Sequence, residues 1–185
     1  MLPGSHLLSS WLLANYFIRT QRERRIVTLI GLSPDVDGAG LIIDQANSLM
    51  GASSYYFYQY HHVLAHSLLA SIIFSGIAAF LASTNKLFVF YLALIVTHLH
   101  FFCDLIGSRG PDGYQWPIYY LAPFNLDFQL VWSGQWTIDA WQNIVILYIM
   151  FVIIIVQAWK QRYSFVQVIS VWLDNEFFKI MNRYR

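Results

Sequence analysis

Residues Tyr91 to Pro117 read YLALIVTHLHFFCDLIGSRGPDGYQWP, and the chain is organised around them. The stretch begins as a hydrophobic helix and carries His98, His100, Cys103 and Asp104 near that helix's end. It then breaks into a Gly/Pro-rich turn holding Arg109. Ionisable groups are costly inside an apolar segment, so they mark a functional position. His100 and Asp104 are four residues apart, which puts imidazole and carboxylate one turn apart on one helical face. From that spacing both can hold one metal ion.

Composition sets the surroundings of that pair. Hydrophobic residues make up 57% of the 185-residue chain and charged residues only 11%, against about 25% charged in a soluble domain. With a mean hydropathy of +0.48, the chain falls in the membrane class. The aromatic content of 18% fits the interfacial belts of Trp and Tyr found at bilayer surfaces. A net charge of +1 gives no basic groove, and no nucleic-acid partner is expected. The single cysteine, Cys103, excludes an internal disulfide and a Cys-rich zinc module, and reads as a small buried apolar residue. No cleaved signal peptide is expected, because the first residues lack a charged segment ahead of a small-residue cleavage site.

The pattern along the chain predicts an all-α integral membrane protein. Its helical hairpins surround a polar metal site, and an amphipathic helix ends it. Residues 6–34 read as a short helical hairpin, shallow or re-entrant, with the Arg19 to Arg25 cluster at its tip and Pro34 ending its second arm. Residues 38–60 read as loop with a short helix. Val63 to Ala82 and Leu87 to Ile106 read as two antiparallel spans joined by a four-residue turn. Residues 107–140 read as irregular, with a short hairpin or interfacial segment between Trp116 and Trp132. Trp141 to Trp159 is a third span with a Trp at each end. Residues 1–160 are thus expected to form the membrane-embedded domain and residues 161–185 an interfacial tail. In that tail Phe165, Ile169, Trp172, Phe177, Ile180 and Met181 recur at helical spacing.

Helical rise brings the ionisable residues to one height. Counting from Thr84, His66 is 18 residues back and Asp104 20 residues on, so both lie roughly 27–30 Å from the turn. His6 and Asp35 are similarly level about the tip near Arg22. Five of the six histidines, His6, His61, His62, His66 and His100, therefore share a layer with Asp35, Asp37 and Asp104, a donor set suited to zinc and, less selectively, to manganese or iron. His98 points away from His100 and reads as structural. Asp35 and Asp37 taken singly are ordinary turn residues. Between His61 and His62 the residues slightly favour His62, which shares a face with His66. Basic groups gather at the other end, so the positive-inside rule puts the site on the extracytoplasmic side.

Four elements in order carry a resemblance: Gly-Ser-His6; Leu-Ser-Pro34-Asp35-Val36-Asp37; His61-His62-Val-Leu-Ala-His66-Ser-Leu-Leu; and Thr-His98-Leu-His100-Phe-Phe-Cys103-Asp104 leading to Trp116-Pro117. Over roughly residues 1–140 the chain resembles the YdjM-type, LexA-regulated, membrane-bound metal-dependent hydrolases. These are distantly similar to zinc-dependent phospholipases C and single-strand-specific zinc nucleases. The resemblance implies a bacterial inner-membrane, multi-pass protein and a ligand set of His6, Asp35, Asp37, His61, His66, His100 and Asp104. Where the family usually has Arg, this chain has His62, which removes a phosphate-binding cation that Arg109 would replace.

The function expected from these readings is a zinc hydrolase of phosphoesters in a lipid or amphiphile, with two or three Zn²⁺ ions activating water. Asp104 would bridge two ions, Asp37 would be a ligand or the proton-accepting base, and Arg109 would stabilise developing phosphoryl charge. Residues 114–136 would form a lip facing membrane lipids. The rival is a non-catalytic membrane protein held together by a structural metal or a buried His/Asp network. A transporter fits less well, since the layer sits at one end of the bundle and makes no path across it.

Overall fold

Two uninterrupted apolar runs become the two longest helices of the computed structural model, which describes residues 1–110 and 113–183, with side chains to residue 180. Helix α1 is Pro3–Phe17, α2 Gln21–Ile30, α3 Gly40–Leu49, α4 Tyr56–Tyr60, α5 Leu68–Leu81, α6 Lys86–Gly107, α7 Trp141–Gln161 and α8 Val171–Arg183. Short 3-10 segments cover Ser33–Ala39 and Phe165–Val168. The fold is all-α. Among the described residues α6 and α7 are long and apolar enough to cross a membrane. A third crossing results if α2 and the segment Ser33–Leu49, bent by 44°, act as one broken span.

Helix α6 is central because its buried positions recur at helical spacing: Val89, Leu92, Ala93, Val96, Thr97, His100, Cys103, Asp104 and Gly107. Helix α5 packs along it through Ser71, Ser75 and Ala78. Such small residues let two backbones approach closely where lipid removes the hydrophobic drive between helices. The α1–α2 hairpin covers the remaining side of α6, and α7 lies against α1. On α7 only Asn143, Ile154 and Ala158 are buried, leaving Ile144, Tyr148, Ile149, Val152 and Ile155 facing outward, as lipid contact requires.

The expected span Val63 to Ala82 is corrected. Its helix starts only at Leu68 and has 14 residues. The preceding residues are drawn into contacts with Asp37 that compete with helical hydrogen bonding. His62 has the left-handed φ of 69°, a conformation a regular helix excludes. Ser67 then caps the start, its hydroxyl accepting the Ala70 N–H. The aromatic run Tyr56–Tyr60 and residues 40–49 form two helices where one was expected. The hairpin between Trp116 and Trp132 reduces to one antiparallel bridge, Ile118 with Leu130.

The tip of the α1–α2 hairpin meets the α5–α6 turn. The Arg22 guanidinium donates to the Leu81 carbonyl at 2.9 Å, and the Glu23 carboxylate accepts the Ser83 and Thr84 N–H groups at 3.0 and 3.1 Å. Arg24, part of the cluster at that tip, is buried. Its guanidinium lies 4.2 Å from the Tyr163 ring centroid and donates to Gln167 at 2.9 Å. The tail is therefore tied to α2 at this same end. In α8, Trp172, Phe177 and Ile180 are exposed while Asp174 and Phe178 are buried, and Asp174 accepts from the N–H and hydroxyl of Ser164. The side chain of Met181 and residues Pro111 and Asp112 lie outside what is described.

Candidate metal centre

His100 and Asp104 come from the last two turns of α6 and face inward, both buried. His100 Nδ1 lies 2.8 Å from the carbonyl of Gly31, at the end of α2. A carbonyl only accepts, so Nδ1 carries the proton and the neutral ring keeps its lone pair on Nε2. The same logic applies to His66, whose Nδ1 lies 3.0 Å from Asp37 Oδ2. The two Nε2 lone pairs then converge on one carboxylate oxygen. His100 Nε2 is 3.0 Å and His66 Nε2 3.3 Å from Asp104 Oδ2, and they stand 3.2 Å from each other.

Three electron-rich atoms at such distances repel unless a cation lies among them. A proton can satisfy one pair, and a divalent metal satisfies all three. The donors present therefore fit a metal ion. Among the described residues two groups have the required geometry, with ligand atoms within 4.8 Å of one another: His6, Asp35, His100 and Asp104 in one, His62, His66 and Asp104 in the other. Asp104 belongs to both. His6 Nε2 reaches Asp104 Oδ1 at 3.2 Å, and its ring stacks on His100 with centroids 3.7 Å apart. Asp35 Oδ1 is 3.4 Å from His100 Nε2. The Met1 amino group also meets Asp104 Oδ1.

His62 completes the second group, with Nε2 3.8 Å from Asp104 Oδ2. Its left-handed backbone turns the ring inward from a loop, so the choice between His61 and His62 needs no helix. Burial, reinforced by neighbouring His66, holds the His62 imidazole well below its ordinary pKa, which favours the neutral ring, with one nitrogen lone pair to offer. Among the described residues its Nδ1 has no hydrogen-bond partner, nor does His6 Nδ1 or Asp35 Oδ2.

Two expected ligands stand one layer back. Asp37 is in neither group: its Oδ1 meets His61 Nδ1 at 3.0 Å, and its Oδ2 meets His66 Nδ1 and accepts the His62 N–H at 3.1 Å. Both oxygens are thus committed to orienting histidines, which also removes Asp37 as a free base. His61, half-buried, pairs with Asp37 and stacks on Phe57 at 4.5 Å. Arg109 is not placed as a phosphate-binding cation either. Its guanidinium donates to the Ser133 carbonyl at 3.2 Å, and its backbone bridges to Thr137, because the chain after α6 turns away into the loop. His98, read as structural, lies 2.7 Å from the Leu94 carbonyl and 3.0 Å from the Tyr120 hydroxyl. Cys103 is buried and free.

Three supporting residues carried no sequence signal. Gln135 donates to the Asp104 carbonyl at 2.9 Å, holding the end of α6. Asn143, fully buried, donates to the carbonyls of Gly107, Thr137 and Ile138 and accepts from the Trp136 indole N–H. Gly31 sits so close to Ser10 that a Cβ there would overlap its hydroxyl. A cavity of about 510 Å³ opens onto the donors, bordered by Asp35, His61, His62 and Asp104 on one side and by Phe57, Tyr58, Trp116 and Ile138 on the other.

The family model described as YdjM inner membrane protein matches residues 1–173 of the chain. No curated protein and no solved structure matches it.

Proposed function

The chain belongs to the YdjM inner membrane protein family, and from that premise and the donor geometry we propose that it is a membrane-bound, metal-dependent hydrolase of phosphoesters in lipids or amphiphiles. The observation that carries the reading is the convergence of the His66 and His100 Nε2 atoms on Asp104 Oδ2, with each Nδ1 already occupied. Zinc is the metal that imidazole and carboxylate suit best, and Asp104, which belongs to both donor groups, would contribute to holding an ion at each. When bound, such ions lower the pKa of water and polarise a phosphoryl oxygen.

Around that chemistry the chain's own groups have separate tasks. His6, Asp35, His62, His66, His100 and Asp104 would hold the metal. Asp37 fixes the His61 and His66 rings. Water adds to phosphorus, one P–O ester bond breaks, and the water's proton ends on the departing alcohol. Asp35 borders the cavity, and its Oδ2 has no hydrogen-bond partner among the described residues, so it is the carboxylate oxygen available to carry that proton. The membrane setting supports a lipid or amphiphile as substrate, and the gathering of Arg19, Arg22 and Lys86 at the opposite end supports an extracytoplasmic site.

A second reading has an observation of its own: the donors come from α1, the segment after α2, the turn before α5, and α6, so metal at both donor groups would also staple four elements together. The two readings separate in one experiment. Purified protein in detergent is assayed for zinc by elemental analysis and for release of phosphorylated headgroups from phospholipid. His100→Ala should lose both metal and turnover. Metal that supports folding in the wild type with no ester cleaved would leave only the staple.

A further inference from the structure

The far wall of the cavity is aromatic, and its hub is Trp116. Its ring lies 5.6 Å from Phe57, 5.5 Å from Tyr58 and 5.4 Å from Tyr114, at interplanar angles of 68°, 63° and 89°. It also stands 5.3 Å from the His61 ring and 5.6 Å from the His62 ring, so the aromatic wall begins one ring away from the metal donors. Steep angles present faces and edges in several directions, unlike a flat stack. The wall is also held in place. The Asp44 carboxylate accepts the N–H groups of Tyr56 and Phe57, each at 2.9 Å, fixing the start of α4. Gly40 lets α3 come so close that a Cβ there would lie 2.7 Å from the Phe57 nitrogen.

The second observation is charge. No lysine or arginine side chain borders the cavity among the described residues, while Asp35 and Asp104 do. Arg109, the nearest basic residue in sequence to α6's end, is turned to Ser133. Beyond the metal that the donors would hold, an anionic headgroup would find only the Met1 amino group among the described residues, and Asp104 already engages it. A positively charged group would find tryptophan, tyrosine and phenylalanine, whose ring faces attract cations within about 6 Å, tryptophan most strongly.

We propose that the Phe57–Tyr58–Trp116 wall receives the ammonium end of an aminoalkyl phosphoester, a headgroup of the ethanolamine or choline type, while its phosphate lies at the metal donors. The proposal rests on the hydrolase reading for where the phosphate sits. Two carbons separate phosphoester oxygen from ammonium nitrogen in such a headgroup, matching a wall one ring removed from the donors. Asp104 is engaged by His6, His66 and the Met1 amino group and Asp35 Oδ1 by His100, while Asp35 Oδ2 is the proton carrier of the hydrolase reading, so the cation is left to the ring faces. The substrate class is then a zwitterionic amphiphile rather than an anionic one.

The test compares ligands that share the phosphate and differ in the remote group. Zinc-loaded full-length protein in detergent is titrated calorimetrically with phosphoethanolamine, phosphocholine and glycerol 3-phosphate. The amine-bearing esters should bind about 5–30-fold more tightly. Trp116→Leu should bring that ratio close to one, and Trp116→Phe should retain most of it. A ratio is read within each variant, so an altered metal content cancels. Glycerol 3-phosphate binding equally or more tightly to the wild type overturns the proposal, as does an unchanged ratio in Trp116→Leu. If Trp116→Leu does not fold, Phe57→Leu and Tyr58→Leu are read in the same way. A parallel arm offers vesicles of phosphatidylethanolamine, phosphatidylcholine or phosphatidylglycerol. Faster cleavage of the first two supports the proposal and makes the lipid the source, whereas preferred cleavage of phosphatidylglycerol overturns it. The expected binding ratio without cleavage of any vesicle keeps this proposal and overturns the lipid-hydrolase reading.

Discussion

Asp37 Oδ2 lies 3.0 Å from His66 Nδ1, on the side of the ring opposite Asp104. Carboxylate, imidazole and second carboxylate stand in line, the arrangement by which an outer group fixes tautomer and raises ligand basicity. Replacing Asp37 should therefore weaken metal binding without removing a ligand. Asp37→Asn is expected to lower zinc affinity roughly 10–100-fold, measured by competition with a fluorescent chelator, while Asp104→Asn should abolish tight binding because both donor groups share it.

His61 and His62 are adjacent in sequence and differ in position. His62 is buried in a donor group, and His61 is half-buried and faces Asp37. His62→Ala should reduce the zinc bound per chain, as elemental analysis would show. His61→Ala should leave the stoichiometry intact and weaken affinity modestly. The reverse order would restore His61 as the ligand.

Gly31 joins the end of α2 to the site. Its carbonyl orients His100, and its Cα has no room for a methyl beside Ser10. Gly31→Ala should shift that carbonyl and lower both zinc content and melting temperature. Overpacking of this kind costs about 1–3 kcal/mol. The double substitution Gly31→Ala with Ser10→Gly should recover much of the loss, a rescue that thermal unfolding with and without zinc would reveal.

Arg24 is the tail's anchor. Replacing it by Ala removes the hydrogen bond to Gln167 and the stacking on Tyr163, and a charge-assisted hydrogen bond is worth on the order of 1.5–3 kcal/mol. Limited proteolysis should then cut after Gln161 in Arg24→Ala under conditions where the wild-type tail resists, with zinc content unchanged.

The elements legible in the sequence were those set by long-range periodicity. The apolar runs gave α6 and α7, and helical rise brought His6, Asp35, His66, His100 and Asp104 near one another without coordinates. What escaped was decided by contacts between distant residues. Nothing in the run from Val63 onward says that His62 takes a left-handed turn, because the cause is Asp37, 25 residues earlier, accepting its N–H. Arg24 sits inside RTQRERR and resembles its exposed neighbours. Its burial depends on Trp11 and Tyr163 lying beside it. Arg109 fits a phosphate-binding role by position alone, and only the path of residues 133–137 turns it away.

Helix α5 has 14 residues, a rise of about 21 Å, against a hydrocarbon thickness of about 30 Å. A bilayer next to so short an apolar rod adapts by pinching inward, since hydrophobic mismatch is relieved by local thinning or by flanking groups reaching outward. Two residues before α5 begins stands His66. Thinning at that end of α5 would bring the membrane surface towards the histidines, the height at which the phosphoester of the proposed reaction would have to arrive.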